Sequence, residues 1–242
     1  MARGISGYYG VGWNKYVNKW CVRIKINGKD RTFGFFVTEL EANGYKVKYK
    51  VVNLNEYGVP QTRKRFTLVA TRVNINSVFP KPSNKERPVV KDFIGQENGF
   101  PDVDAGYKDI SPFQHTVAKL SDKNLTRLTG TPSNCGSSEW WKTHEILGRL
   151  KYRGKSFNDS YSRMSWDKPA PTITTKFFSI SNGRFGHPEE HRAISIREGA
   201  TLQTFPKNYV FHTTTFHEAG KMIGNAVPPE YAKRIGKAII NS

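Results

Sequence analysis

Residues 57–72, YGVPQTRKRFTLVATR, decide how this chain is read. Gly58 and Pro60 mark a turn, and residues 66–71, FTLVAT, have the β-branched and aromatic content of a strand. Between turn and strand stand Gln61, Arg63, Lys64 and Arg65. A polar fork and three cations at the mouth of a strand expected to be buried need a reason. Gln61, Arg63 and Arg65 share a parity, so in an extended chain they project to one side. A guanidinium grips phosphate or a base edge through two parallel hydrogen bonds, which makes the row a candidate polyanion site.

The composition points the same way. The 242 residues carry 38 Lys and Arg against 20 Asp and Glu, a net charge of +18. That excess favours a polyanionic partner through steering and counterion release, nucleic acid before a membrane surface. Hydrophobic residues at 37% are enough to build a core, which excludes a disordered chain. Cys21 and Cys135 make neither a disulfide framework nor a zinc set. His187 and His191 stand four apart in HPEEH, but Pro188 lies between them and no third ligand is evident, so no metal is expected. No apolar run approaches the about 18 residues of a membrane span. The opening MARGISGYYG lacks an apolar signal core, so a cytoplasmic protein is expected.

Local patterns place the elements. Residues 9–13 form one candidate strand. Trp20, Val22, Ile24 and Ile26 alternate with Cys21, Arg23 and Lys25, the period of a half-buried strand, and Asn27-Gly28 is a hairpin turn. Residues 31–36 return as a third strand, leaving one apolar and one cationic face. Thr38 caps a short helix over 39–42, which stops at Asn43-Gly44. Strands follow at 45–53 and 66–71. Residues 77–166 are rich in Pro, Gly, Ser and Asn and read as irregular, with one helix at 121–128. Ser195 and Glu198 have capping-box spacing at the head of a helix over 195–203. A last helix spans 229–240.

The first module, GYYGVGWNKYVNKWCVRIKINGKDRTFGFF with its Thr-Glu end, resembles the Apetala-two-type DNA-binding domain, a three-stranded sheet backed by one helix. The resemblance implies DNA contacts from Trp13, Lys15, Lys19, Trp20, Arg23, Lys25 and Arg31. The backing helix of that domain runs several turns, whereas Asn43-Gly44 cuts it short here. A structural hairpin with a solvated charged face is the plainer alternative.

The remainder, about residues 40–242, resembles the C-terminal part of the DNA cytosine-5 methyltransferases. QTRKR looks like their Q-x-R-x-R motif. Residues 160–211, SYSRMSWDKPAPTITTKFFSISNGRFGHPEEHRAISIREGATLQTFPKNYVF, are similar to their late segment, and KMIGNAVPPEYAKRIGKAI at 221–239 to their final motif. FQHTVAKLSDKNLTRLTGTPSNCGSS matches the stretch before the recognition region. The family transfers methyl groups from S-adenosylmethionine to carbon 5 of a cytosine flipped from duplex DNA, through a Cys thiolate and a Glu. By this resemblance Arg63 and Arg65 line the pocket of the flipped cytosine and its phosphate, and Gln61 buttresses them. Arg197, Glu198 and Gln203 organise the recognition domain, with Arg184 and Arg197 among the DNA contacts. Asn225 and Val227 close one side of the cofactor pocket, and residues 88–164 read the target from the major groove.

The resemblance also exposes a gap. The family's Gly-rich cofactor loop, Pro-Cys-Gln nucleophile and Glu-Asn-Val strand end should precede Gln61, and none is present. Cys21 follows Trp20 rather than Pro, and Cys135 comes too late in the order, so neither is expected to be the nucleophile. Three readings stay open. The chain is one subunit of a split methyltransferase, with a second chain bringing the early motifs and sharing S-adenosylmethionine. It is a non-catalytic DNA-binding relic, recombined with a homing-endonuclease-type module. Or it is a scaffold that binds a methyltransferase rather than DNA. The expected partners are therefore double-stranded DNA and a second methyltransferase chain, in a bacterial or phage-infected cell with a restriction-modification context. The expected fold is α/β: late strands and final helix of a partial Rossmann-like methyltransferase fold, an irregular α+β recognition domain, and an N-terminal three-stranded antiparallel sheet. The expected divisions are 1–42, 43–76, 77–165 and 166–242.

Overall fold

The computed structural model describes residues 11–14, 19–26, 29–32, 46–73, 79–83, 86–134, 160–213 and 215–241, the first three stretches as backbone only. Strand β1 (Val11–Asn14), β2 (Lys19–Ile26) and β3 (Lys29–Thr32) form an antiparallel sheet in the order β1-β2-β3. Trp13 faces Trp20 across β1-β2 and Ile26 faces Lys29 across β2-β3, the register that an Asn27-Gly28 turn imposes. The helix expected at 39–42, the end of the third strand at 33–36, Lys15 and Cys135 lie outside the described residues. Strands β4 (Lys46–Asn53) and β5 (Lys64–Thr71) pair as a separate two-stranded sheet, and Tyr49 meets Phe66 with ring centroids 5.6 Å apart.

Two compact units cut across the divisions expected from sequence. One comprises residues 1–52, 65–80 and 237–242, the other residues 53–64 and 81–236. The second unit holds Gln61 and Arg63, while Arg65 belongs to the first. A single helical turn at Leu54–Tyr57 starts it and ends on Gly58, whose φ of +87° is left-handed and so suits glycine. The chain then returns: Leu54 N donates to Arg63 O at 2.9 Å.

Three helices organise this unit beside α1 (Asp122–Thr129). Helix α2 (Ile196–Leu202) is capped as expected: Ser195 Oγ accepts from Glu198 N at 3.0 Å and Glu198 Oε2 from Ser195 N at 2.6 Å. Every residue of α2 is buried. Helix α3 (Phe216–Asn225) was not expected from the pattern of apolar residues. Its signal was present in Thr215 and Glu218, a second capping box. Helix α4 (Pro229–Ile240) starts with Pro at its first turn, where no amide donor is needed. The core under these helices gathers Ile173, Phe177, Phe185, Ile194, Leu202 and Ile223 with their neighbours.

Most of the unit is loop, so its backbone needs partners other than long sheets. Isolated bridges supply some of them. Gln61 pairs with Ala170 in parallel, Arg163 with Gly186 in parallel, and Gly186 with Ala193 in antiparallel. The last two set the segments carrying Arg163, His187 and Arg192 side by side. Glycine also permits one very close approach. A Cβ on Gly224 would lie 2.4 Å from the backbone of Thr174 and Thr175, so α3 touches that loop main chain to main chain.

Candidate functional site

The sequence motifs converge on a buried seam. Thr62 N donates to Ala170 O and Ala170 N to Pro60 O, both at 2.8 Å, which lays the motif entrance along residues 170–173. Gln61, 0% exposed, donates through Nε2 to Leu202 O at 3.0 Å and to Gln203 Oε1 at 2.7 Å, and its Oε1 accepts from Ile173 N at 3.1 Å. Gln203 Nε2 passes the link on to Ile223 O at 2.7 Å. Arg63, 3% exposed, donates through Nη1 to Ile173 O at 2.7 Å and through Nη2 to Gly224 O at 3.0 Å. Two amides and one guanidinium thus tie the motif entrance, the 173 loop, the end of α2 and the end of α3.

The geometry corrects part of the expectation. Arg63 does not present its fork to an open pocket, because both terminal nitrogens hold main-chain carbonyls. Arg65 stands exposed on β5. The row of equal parity holds for Gln61 and Arg63, which precede β5, and not for Arg65, which lies within it. Gln61 takes the buttressing position expected of it, toward Gln203 rather than toward Arg65.

Arg197 is corrected more strongly. Expected among the DNA contacts, it is 0% exposed and stacks between Phe113 and Phe211, its guanidinium carbon 5.6 Å from each ring. It donates to Phe113 O, to Tyr209 O at 2.8 Å and to Gln114 Oε1 at 3.2 Å. It therefore binds two loops to α2, the organising role expected of this segment. Arg184 is exposed. The side chains of Trp13, Lys19, Trp20, Arg23, Lys25 and Arg31 lie outside the described residues, as does Lys15 altogether.

A second knot surrounds Glu198 at the head of α2. Arg192 donates to both its oxygens, Nη1 to Oε2 at 2.7 Å and Nη2 to Oε1 at 2.9 Å. The same guanidinium reaches Glu190 at 2.9 and 2.5 Å. Burial by itself would raise the Glu198 carboxyl, but the charge and hydrogen bonds of Arg192 outweigh it and hold it down at about 2. His115 Nε2 lies 3.1 Å from Pro101 O, which can only accept, so its proton sits there. Its Nδ1 then takes the Ser195 hydroxyl proton at 2.8 Å, leaving Ser195 Oγ to accept from Glu198 N. Neither Arg192 nor His115 belongs to a spacing that sequence reasoning singles out.

His187 completes the knot. Its Nδ1 accepts from Glu190 N at 3.0 Å, so the neutral ring carries its proton on Nε2. Burial pushes its pKa down to about 3. His187, Glu190 and Glu198 offer ligand atoms within 4.8 Å of one another. They do not suit a cation: Arg192 already holds both carboxylates, and coordination at Nε2 would need the proton moved onto Nδ1, against the Glu190 amide. His187 and His191 do not converge either, since His191 Nδ1 accepts from Arg163 at 2.6 Å.

Two concavities adjoin these groups. His187 and Glu198 lie on the wall of a cleft of about 630 Å³ that also exposes Trp166, Glu97, Asp102 and Glu189. Asn225 lines a shallower hollow of about 460 Å³ with His212, Thr213, Glu218, Lys221 and Met222. Val227, 63% exposed, follows it. Among the described residues no helix is long and apolar enough to cross a membrane.

The buried seam and capped α2 have counterparts in known proteins. The family model of C-5 cytosine-specific DNA methylases matches residues 23–241, and the chain belongs to that family. Type II methylase M.HgiDII of Herpetosiphon aurantiacus is 36% identical over 222 residues, covering 89% of this chain and 61% of the relative. Type II methyltransferase M1.HphI of Haemophilus parahaemolyticus is 29% identical over 222 residues, covering 90% and 54%. The chain thus spans between half and two thirds of the length of these relatives. A prophage-encoded chain of E. coli described as a DNA modification methyltransferase superposes with a TM-score of 0.58 at 20% identity, over 83% of this chain and 62% of that one. Entamoeba histolytica methyltransferase EhMeth follows at 0.51 and 12%, over 84% and 55%. These two establish the α/β methyltransferase fold. The family match begins inside β2, so it overlaps the stretch that resembles an Apetala-two-type module.

Proposed function

We propose that this chain is the C-terminal, target-recognition part of a DNA cytosine-5 methyltransferase, acting on duplex DNA with S-adenosylmethionine. The cofactor loop, the nucleophilic Cys and the Glu come from a second polypeptide, which shares the cofactor. One observation carries the reading: Gln61, Arg63, Gln203 and Gly224, drawn from three separate motif segments, meet in one buried hydrogen-bonded seam. A seam of that kind makes a rigid backing for groups that face outward beside it. Arg65 is the cation that reaches the flipped cytosine and its phosphate, with Arg63 and Gln61 as positioning residues. Asn225 and Val227 border the cofactor. Residues 88–164 and Arg184 meet the major groove. The β1–β3 sheet adds affinity for DNA through Trp13, Lys15, Lys19, Trp20, Arg23, Lys25 and Arg31, a contribution that antiparallel sheets make in other groove readers.

The test is reconstitution. The chain alone is mixed with duplex DNA and radiolabelled S-adenosylmethionine, then supplemented with a polypeptide bearing the early motifs. Methyl transfer is expected only in the mixture, and Arg65→Ala is expected to remove most of it. Robust transfer by the pure chain, or an inert mixture with a folded partner, overturns the split arrangement. Duplex binding by the chain alone should fall steeply with salt, because many Lys and Arg displace counterions.

A further inference from the structure

We propose that the cleft beside His187 takes an amino-bearing nucleobase, cytosine, adenine or guanine in preference to thymine. The inference does not depend on the methyl transfer proposed above, since it concerns a different part of the unit. Its volume of about 630 Å³ lies within the range of small-ligand sites. The walls are unusual for this chain. In a molecule with 38 basic and 20 acidic residues, the cleft exposes Glu97, Asp102 and Glu189 together. Such a rim repels phosphate and accepts hydrogen bonds from amines.

Trp166 supplies the flat surface. It is partly exposed, and its Nε1 donates to Glu189 Oε1 at 2.8 Å, which fixes the indole against rotation. Gly95 lies against the same ring; a Cβ there would stand 3.2 Å from it. Bases stack on such a ring whatever their edge, so stacking gives affinity and the edge must give selectivity.

The selective element is His187. Its ring is 3% exposed, and its Nε2–H has no directed hydrogen bond although Glu190 Oε1 lies 3.2 Å away. A buried donor without an acceptor is costly, and a ligand that supplies the acceptor recovers that cost. The cleft therefore asks for donors toward its carboxylates and an acceptor toward His187. An ammonium or guanidinium offers donors alone and sets a positive charge against the N–H. A carboxylate or phosphate offers acceptors alone. A ring with an exocyclic amine beside a ring nitrogen offers both on one edge, as in cytosine N4 and N3, adenine N6 and N1, or guanine N2 and N3. Thymine has carbonyls where the amine is needed.

The base comes either from a free nucleoside or from a nucleotide unstacked from DNA, and one set of measurements separates these. The full chain is titrated with deoxycytidine, deoxyadenosine and thymidine by saturation-transfer NMR. Deoxycytidine and deoxyadenosine are expected to bind about tenfold or more tighter than thymidine, the equivalent of one well-placed hydrogen bond. Trp166→Ala and Glu189→Gln should each weaken deoxycytidine severalfold, while Trp166→Phe, which keeps an aromatic face, retains it and controls for folding. Spermidine should fail to displace the nucleoside. Equal binding of thymidine, displacement by spermidine, or undiminished affinity in both Trp166→Ala and Glu189→Gln overturns the inference. In a duplex carrying one 2-aminopurine, a fluorescence rise that depends on Trp166 upholds the site and assigns it to an extruded base. Nucleoside binding with no such rise upholds it for the free base.

Discussion

Arg163 and Arg192 are both fully buried in the same unit, and they are held by opposite means. Arg192 is met by charge: two carboxylates, Glu198 and Glu190, take its donors in pairs. Arg163 is met by dipoles. It donates to the carbonyls of Leu128 at 2.9 Å, Thr131 at 3.1 Å, His187 at 2.9 Å and Glu189 at 3.0 Å, and to the ring of His191. The consequence appears in the acid strength of each group. Burial lowers Arg163 to about 10. At Arg192 burial pulls the same way, but Glu198 and Glu190 reverse it and raise the group above its ordinary value. A loop-rich unit can thus use one residue type twice, once to neutralise a buried acid and once to satisfy carbonyls that no sheet would reach.

Deleting the acid tests the first half of that contrast most severely. Glu198→Ala leaves Arg192 buried without its main counter-charge and is expected to lower stability by about 3–5 kcal/mol, read from urea unfolding. A loss below about 1 kcal/mol would mean that Glu190 alone suffices and that the pair is not the anchor.

Acid titration separates the two sites next. The folded pKa of His187, about 3, lies below its ordinary value of 6.5, so its contribution is present above pH 6.5 and fades as pH falls toward 3. Glu198, held at about 2 against an ordinary 4.5, adds a second loss from pH 4.5 downward. The unfolding midpoint should therefore decline from about pH 6.5, by on the order of 3 kcal/mol at pH 4. His187→Gln should flatten the upper part of that decline while leaving the part below pH 4.5. A profile flat to pH 4 in the unmodified chain would break the assignment.

Arg163→Met should cost somewhat less, about 2–3 kcal/mol, from carbonyls left without a donor. With no carboxylate at this site, the difference from the unmodified chain should be the same at pH 5 and pH 8 by urea unfolding. A pH-dependent difference would reveal a charged partner and erase the contrast. The smallest effect belongs to the cap that joins the Arg192 knot to its helix. Ser195→Ala should cost about 1 kcal/mol in thermal unfolding, since the Glu198 carboxylate still holds Ser195 N.

Much of this architecture was legible in the sequence, and the reason differs by element. The alternation over residues 20–26 and the Asn27-Gly28 turn gave the β2-β3 hairpin, and the capping boxes mark both α2 and the overlooked α3. Short-range rules suffice there because the partners are three residues apart or fewer. The seam joining Gln61, Gln203 and Gly224 was legible only as motif resemblance, which supplied the segments but not the inward turn of Arg63. Arg163, Arg192 and His115 left no trace, since a buried guanidinium held by distant carbonyls has no period and no fixed spacing. Arg197 misled for a related reason: a cation in a basic chain reads as a surface group until its acceptors are seen.

The main-chain contact at Gly224 gives its letter in GNAVPP a purely steric origin. A descendant that had shed all chemistry would still keep glycine there for as long as it folded. The exposed asparagine beside it answers to no such packing demand, so decay of an abandoned activity would be written first at position 225 and last at 224.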